Sequence, residues 1–428
     1  MTGWLRSERG ASFVMATGLV LVFIAVRLPG LGRFVTADEG LWLRQSGRFL
    51  SAVAQGDWAA TEVSQHPGVT TTWAGALGYM ATFPEYAQVD DEEMSDAQWR
   101  QFLRVQGYNP AQILAAGRAM VVLFCGAALA ASWPFAVRLL GRRAALLGMG
   151  LLALDPFSIA HQRLLHQDGL MSAFMLLSVL ALVDGAQRRS RGALLVSGIA
   201  AGLSWLTKSP AWVLVPLAAG VLGWVGWRGT RDWKRTALDG LFWLGAGLMV
   251  FVLLFPAAWV GPGDIFSGVV EYALSSAEGS YSGSVFFNGQ VYPDGEMGVD
   301  SAVFYALNWL WRSTPLTVLG ILAAMTWMRH AKEEKLILGT IGLYVFGFAL
   351  LMTLGVKKFD RYLLPAMFGL LLVAGWGWAQ AAAWVEARWG RRWLAGGVAA
   401  GVLGLQALSG LPHFPYYLTY YNDALGGD

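Results

Sequence analysis

The sequence predicts an all-α polytopic membrane protein, and three observations support this fold class. Of the 428 residues, 56% are hydrophobic and only 14% are charged, whereas a soluble domain carries about 25% charged residues. Apolar runs long enough to cross the hydrocarbon core, about 17–25 residues, recur along the whole chain. The 21 tryptophans and 13 tyrosines suit aromatic belts at two membrane–water interfaces. This composition excludes a soluble globular protein.

Eleven apolar runs are predicted to form transmembrane helices within a single domain, 1–428. They cover residues 11–28, 113–135, 144–159, 169–185, 192–206, 211–227, 241–259, 303–328, 336–354, 362–384 and 393–411. The start of the chain resembles a signal peptide, but Arg27, Pro29 and Arg33 separate the first apolar run from Ala37. The first run is therefore predicted to be retained as a helix.

The basic residues predict the orientation, because Lys and Arg are enriched in cytoplasmic loops. With the N-terminus inside, they collect on one side at positions 6–9, 138–143, 188–191, 228–235, 329–335 and 388–392, while most acids lie on the other side. The chain is therefore predicted to be a multi-pass protein of the cell (plasma or inner) membrane, with its C-terminus outside. No nucleic-acid partner is expected.

Both long loops, 29–112 and 261–300, fall on the predicted external side. In the first loop, polar residues at helical spacing predict an amphipathic helix over 41–55 on the membrane surface. The acidic run 90–93 is expected to be a solvated turn. Ser95 and Gln98 predict a capping box for a helix that ends near Gly107.

The second external loop and the tail carry three further predictions. A helix is expected over 264–277, and Asn288-Gly289 between short apolar runs predicts a two-residue hairpin. The aromatic tail over 412–417 is expected to rest on the bilayer.

Charged residues next to a membrane are costly and mark candidate sites. Asp38 and Glu39 are adjacent, so on a helix their side chains diverge by about 100°. One is expected to act as a base and the other to support the site or bind the acceptor. Two solvated acids on a loop are the simpler alternative.

A second cluster follows residue 156 and contains His161, Arg163, His166 and Asp168. The spacing of the two histidines does not match a helical zinc pair, so a divalent metal is possible but not favoured, and no cofactor is predicted. Arg163 has the fork geometry that suits phosphate. An Arg163–Asp168 ion pair that pins the loop is the alternative.

Further cations, Lys208, Lys358 and Arg361, also fall on the external side, against the positive-inside tendency. An external transferase has no nucleotide-activated donor, whereas a polyprenyl phosphate can bring a sugar to the interface. Cations there would stabilise the charge that develops on the leaving phosphate, and a carboxylate such as Asp38 would take the acceptor proton.

These segments resemble the GT-C superfamily of membrane glycosyltransferases, in particular the protein O-mannosyltransferase and aminoarabinose-transferase group (glycosyltransferase family 39-like). The resemblance covers most of the chain through Asp38-Glu39, His66-Pro67, Arg163 to Asp168, Gly202 to Lys208, and Lys358 to Pro365. Gly68 stands where the family has a second proline. The resemblance implies the GT-C fold, with Asp38 as catalytic base.

The sequence thus predicts an inverting glycosyltransferase. It would move a sugar from a polyprenyl-phosphate donor to a hydroxyl of a protein, lipid or glycan on the external face. Asp38 is predicted to be catalytic, with Arg163, Lys208, Lys358 and Arg361 on the donor phosphate. Four residues are assigned to the acceptor or to site support: Glu39, His66, His166 and Asp168. Three alternatives stay open. They are a transporter or flippase of lipid-linked saccharides, a catalytically inactive scaffold, and a metal-dependent oligosaccharyltransferase-like enzyme that uses Asp38 with His161, His166 or Asp168 as ligands.

Overall fold

The computed structural model describes residues 8–64, 67–91, 93–229, 231–278, 283–293 and 297–425, and this part of the chain is mainly helical. The helices are α1 Glu8–Arg27, α2 Glu39–Gln55, α3 Val69–Thr82, α4 Asp96–Val105, α5 Pro110–Leu140, α6 Arg142–Leu154, α7 Pro156–His161, α8 Gln167–Arg188, α9 Arg191–Thr207, α10 Leu214–Arg228, α11 Trp233–Leu254, α12 Ala257–Val260, α13 Pro262–Glu278, α14 Asp300–Arg312, α15 Pro315–Trp327, α16 Lys335–Leu354, α17 Leu364–Trp389 and α18 Arg392–Gly410. Two strands, β1 Val285–Phe287 and β2 Gln290–Tyr292, form an antiparallel hairpin.

Eight helices of the described chain are long and apolar enough to cross a membrane. They are Gly10–Arg27, Pro110–Leu140, Gln167–Arg188, Ser209–Arg228, Trp233–Leu254, Lys335–Leu354, Asp360–Trp389 and Arg392–His413, with Arg191–Thr207 as a shorter apolar helix. Large apolar side chains such as Leu241 and Phe346 are more than 60% exposed, as a lipid-facing surface requires. The multi-pass membrane architecture is confirmed, whereas the count of eleven is not.

Two of the predicted spans are broken by proline. The run over 303–328 divides into α14 and α15 at Ser313 and Thr314, because Pro315 disfavours a helical conformation in the residue before it and begins the next helix at its first position. The run over 144–159 divides in the same way at Asp155, before Pro156. In both places the polar residue before the proline caps the new helix.

The core is centred on α8, whose apolar stretch is buried along its whole length. It is packed by α5, α9 and α17. Small residues allow these neighbours to approach closely: a Cβ added at Gly202 of α9 would lie 2.3 Å from the Gly247 carbonyl oxygen of α11. The membrane helices thus form one close-packed body, and residues at their ends are held in fixed positions.

The first loop folds back on the protein. The predicted amphipathic helix is present as α2, but most of its apolar residues, including Trp42 and Phe49, are buried against α3, whereas Leu41 is 59% exposed.

The prediction of a solvated acidic turn is wrong for Asp91, which is 3% exposed. Its carboxylate pairs with Arg44 and Arg48 over 3.4 and 3.2 Å, and these ion pairs compensate the cost of burying it.

Local sequence signals elsewhere are confirmed. Ser95 and Gln98 form the predicted capping box at the start of α4. The hairpin turns at Asn288 and Gly289, whose φ values of 49° and 78° are both positive, as a type I′ turn requires.

The tail packs on the protein through Arg312 at the end of α14. The guanidinium of Arg312 donates to the carbonyl oxygens of Leu418 and Tyr420 over 3.0 and 2.6 Å, and to the Asp360 carboxylate over 2.8 Å. Tyr417 and Tyr420 are both 4% exposed.

Within the tail 412–417, Tyr417 is buried against the protein, whereas Phe414 and Tyr416 are 43% and 49% exposed. The expected contact of these exposed residues with the bilayer stays a prediction.

Candidate active site

The two adjacent acids at the start of α2 have different surroundings. Glu39 is fully buried, whereas the side chain of Asp38 is 49% exposed. This separation agrees with the divergence of neighbouring helical side chains. The two carboxylates therefore do not face a common reacting atom.

Glu39 forms a closed ion pair with Arg118 of α5, which we call the Glu39–Arg118 clamp. The guanidinium donates to both carboxylate oxygens, to Oε1 over 2.6 Å, and to the Leu31 carbonyl oxygen. The backbone N–H of Leu165 donates to Oε1 over 2.9 Å, and the N–H and hydroxyl of Thr36 donate to Oε2. Glu39 thus joins the first loop, α5 and the segment before α8.

Sequence reasoning missed Arg118. It is 1% exposed and lies inside the apolar run 113–135, where a lone cation is costly unless it is paired. That isolation was the signal that could have found it.

Asp38 contacts two cationic side chains. Its Oδ2 lies 3.3 Å from His166 Nε2 and 3.2 Å from an Arg361 terminal nitrogen. The interaction with His166 lowers the pKa of Asp38 below its usual value of 3.8; partial burial opposes this effect and Arg361 adds to it. Asp38 makes no side-chain hydrogen bond that caps α2, so its carboxylate remains available to a ligand.

Asp168, in the first turn of α8, is fully buried and surrounded by positive groups. Its Oδ1 accepts from Lys208 Nζ over 2.7 Å, and its Oδ2 lies 3.1 Å from His166 Nδ1 and 3.3 Å from Arg361 Nε. The Lys208 ammonium also lies 4.1 Å from the centre of the Tyr362 ring. The alternative Arg163–Asp168 ion pair is not formed, since Asp168 pairs with Lys208 and the Arg163 guanidinium donates to backbone carbonyls.

Arg361 bridges the two carboxylates, and its guanidinium stacks 4.2 Å from the centre of the Phe359 ring. Its side chain is 25% exposed. The structure thus brings together five predicted residues from four separate segments, which we call the acid–base cluster: Asp38, His166, Asp168, Lys208 and Arg361.

Two cations assigned to the donor phosphate do not join this cluster. Arg163 is 1% exposed, and its guanidinium donates to the carbonyl oxygens of Pro29 and Pro415 over 2.5 and 3.2 Å.

Lys358 is 2% exposed and donates to the carbonyls of Met352 and Gly355 over 3.1 and 2.6 Å, closing the end of α16. Burial lowers the pKa of Lys358 to about 8. The structure does not bring these two cations, Arg163 and Lys358, into the acid–base cluster, and their assignment to the donor phosphate stays a prediction.

His66 lies outside the described residues, but the turn that follows it is described. Gly68 has a φ of +58°, and a Cβ there would lie 2.4 Å from the Trp42 ring, which explains a glycine where the resembled family has proline. The Gly68 N–H donates to the Thr207 carbonyl over 3.2 Å, next to Lys208. Gly68 therefore lies beside the segment that carries Lys208 of the acid–base cluster.

The described residues contain no group of three or more His, Cys, Asp or Glu placed to hold a metal ion. They therefore offer no donor set for the metal-dependent alternative. His161 is 5% exposed, and burial lowers its pKa to about 4. It is therefore a neutral, packed histidine.

Comparisons with known proteins support the resemblance. Residues 108–259 match the family model described as dolichyl-phosphate-mannose-protein mannosyltransferase. A search of curated protein sequences gave no match.

Solved structures share the fold along nearly the whole chain. ArnT from Cupriavidus metallidurans bound to undecaprenyl phosphate has a TM-score of 0.57 at 16% identity, over 95% of this chain and 71% of ArnT. Its apo form has a TM-score of 0.54 at 17% identity, over 89% of this chain and 63% of ArnT. The archaeal oligosaccharyltransferase AglB from Archaeoglobus fulgidus, in complex with an inhibitory peptide and a dolichol-phosphate, has a TM-score of 0.52 at 11% identity, over 98% of this chain and 57% of AglB.

The chain thus spans between about half and three quarters of the length of these structures. The family match and the shared fold agree with the segments that carry the resemblance in the sequence. The chain thus shares the fold of ArnT and AglB, and its residues 108–259 match the protein-mannosyltransferase family model.

Proposed function

We propose that the protein is an inverting glycosyltransferase that moves a sugar from a polyprenyl monophosphate to an acceptor hydroxyl on the external face of the membrane. The acid–base cluster carries this proposal. It combines a half-exposed carboxylate, Asp38, with cations held at the ends of membrane helices. A base beside a phosphate-binding group is what transfer from a phosphate leaving group needs.

The donor phosphate is assigned to Lys208 and Arg361. An ammonium has three donor hydrogens, and Lys208 directs one to Asp168. Arg361 is partly exposed and has the planar fork that matches phosphate oxygens. Structures of the similar proteins ArnT and AglB contain undecaprenyl phosphate and a dolichol-phosphate, which supports a lipid-linked phosphate as the donor.

The charge of the cluster favours a monophosphate. Both nitrogens of His166 face carboxylate oxygens, an arrangement that favours the imidazolium form. With Lys208 and Arg361 it outweighs Asp38 and Asp168 by one positive charge. A sugar phosphodiester carries a single negative charge and balances this excess.

The proposed reaction is one displacement. The acceptor hydroxyl gives its proton to an Asp38 carboxylate oxygen while the acceptor oxygen bonds to the anomeric carbon. The bond from that carbon to the phosphate oxygen breaks, and its electron pair stays on the phosphate, which gains a negative charge. Lys208 and Arg361 stabilise that charge as it develops.

A donor panel tests the function. Purified protein in lipid vesicles is incubated with polyprenyl-phosphate hexoses and pentoses, together with protein, lipid and glycan acceptors. We expect one donor class to give a product with the opposite anomeric configuration. A retained configuration, or flipping of the intact donor across the vesicle without transfer, would contradict the proposal.

A chelator tests the metal alternative. We expect transfer to be unchanged after dialysis against EDTA, because two cationic side chains already face the proposed phosphate position. Loss of transfer, restored by Mg²⁺ or Mn²⁺, would favour the oligosaccharyltransferase-like alternative.

A further inference from the structure

His166 has an unusual position in the acid–base cluster, because each ring nitrogen faces a different carboxylate. Nε2 lies 3.3 Å from Asp38 Oδ2 and Nδ1 lies 3.1 Å from Asp168 Oδ2. The Asp168 backbone N–H also donates to Nδ1 over 3.5 Å, and a proton on Nδ1 would replace this bond by one to the nearer carboxylate oxygen. A neutral imidazole has only one N–H and would direct its lone pair at one of the carboxylates. Only the imidazolium satisfies both.

The surroundings of His166 keep this charge. Burial disfavours the cation, but the Asp168 charge and the contacts with Asp168 and Asp38 outweigh burial, so the pKa of His166 is raised above 6.5. Arg361 works against the charge. The edge of the ring is enclosed by Trp42, with ring centres 6.5 Å apart, which fixes its orientation.

In the proposed function, His166 becomes the main contact of Asp38 once donor is bound, and Lys357 adds a weaker electrostatic effect. The Asp38 carboxylate contacts only His166 and Arg361 at ion-pair distance among the described residues. In the proposed function Arg361 turns toward the donor phosphate, and His166 is then the contact that stays. The His166 ring is not expected to move with Arg361, because its other nitrogen lies against the buried carboxylate of Asp168.

We propose that His166, as an imidazolium held between two carboxylates, is a positioning residue that aims Asp38 at the acceptor and sets the upper pH limit of transfer. This inference rests on the proposed role of Asp38 as the base. As pH rises, Nε2 loses its proton first, because Nδ1 faces the more deeply buried carboxylate. The lone pair then repels Asp38, and the carboxylate turns away from the acceptor.

The pH profile of transfer tests the proposal with His166→Gln and the control His161→Gln. His161 is a buried histidine that has no ion-pair contact with Asp38 in the described chain. In the wild type we expect kcat to fall on the alkaline side as His166 deprotonates. His166→Gln should lower kcat at neutral pH by about 10- to 100-fold, the cost of a misplaced group, with little change in the KM for the donor.

The decisive readout is the position of the alkaline limb. In His166→Gln it should move to higher pH, where deprotonation of Lys208 becomes limiting, while His161→Gln should leave it in place. An alkaline limb that stays in place in His166→Gln would overturn the inference, even if activity were lower at every pH.

A second measurement does not require activity. The protein contains five histidines, and labelled-histidine NMR follows their titration in the wild type and in Asp38→Asn. The resonance lost in His166→Gln should titrate above the usual histidine range and shift to lower pH in Asp38→Asn. Titration that is independent of Asp38 would refute the positioning role. Absence of transfer with every donor, with this coupling intact, would refute the proposed function instead.

Discussion

The Glu39–Arg118 clamp and the acid–base cluster begin at adjacent residues and are built from similar groups, yet they differ in completeness. In the clamp, both carboxylate oxygens accept several hydrogen bonds and no surface is exposed. In the cluster, Asp38 is half exposed, and Arg361 divides its guanidinium between two acids. Closed ion pairs fix a fold, whereas partly exposed groups with shared partners can exchange them for a ligand.

The largest expected effects are a loss of transfer activity on substitution of Asp38 and a loss of stability on substitution of Glu39. Asp38→Asn should reduce transfer by at least about 10²- to 10⁴-fold, the usual contribution of a general base, without changing thermal stability. Glu39→Gln should instead destabilise the protein by about 3–5 kcal/mol, because it weakens the compensation of a buried Arg118. Transfer assays and thermal unfolding in the same detergent measure both quantities.

A double variant controls for the clamp. Glu39→Gln combined with Arg118→Gln removes both charges and should be more stable than Glu39→Gln alone. A stable, inactive Glu39→Gln would contradict the distinction between the clamp and the cluster.

The two lysines give the next comparison. Lys208→Gln should lower kcat/KM for the donor by about 10- to 100-fold, the range expected for one hydrogen bond to a charged group. Lys358→Gln should leave kcat/KM unchanged and reduce stability by about 1–3 kcal/mol, because carbonyls at the end of α16 lose their donor. Steady-state kinetics with a titrated donor decide the matter, and equal effects of the two variants on kcat/KM would support the assignment of Lys358 to the phosphate site.

The smallest expected effect is on the acid side of the pH profile. The pKa of Asp38 is lowered, so its carboxylate stays charged until the pH falls below 3.8, and transfer should be lost only there. Arg361→Gln removes one cause of the lowering and should move the acid limb of kcat/KM upward. Arg163→Gln, which removes a buried arginine outside the cluster, is the matched control and should not move it.

Much of the fold could be predicted because its signals are local. Apolar length predicts the membrane helices, Ser95 with Gln98 predicts a cap, and Asn288-Gly289 predicts a hairpin turn, and each needs only neighbouring residues. The helix break before Pro315 could also be predicted, since proline restricts the conformation of the residue before it. Hydrophobicity alone does not register such a break, and the run over 303–328 therefore reads as one span.

The candidate site could be predicted only in part, because a buried cation has two kinds of partner. Carboxylates can be identified in a sequence, and they are the partners of Lys208 and Arg361. Backbone carbonyls are available everywhere and leave no sequence signal, and they bind Arg163 and Lys358. The pairing of Arg118 with Glu39 was also not predictable, because the two residues are 79 positions apart in the chain.

The contacts of Asp360 have a consequence for how the neighbouring arginine could respond to substrate. The Asp360 carboxylate accepts from Arg312 over 2.8 Å and from the backbone N–H of Arg361 over 2.7 Å, and Arg312 also holds the tail. The main chain at Arg361 is therefore anchored from two directions, while its guanidinium is partly solvated. In the proposed function, this guanidinium can turn from Asp38 to the donor phosphate through torsions of its own side chain, so we expect donor binding without closure of a domain.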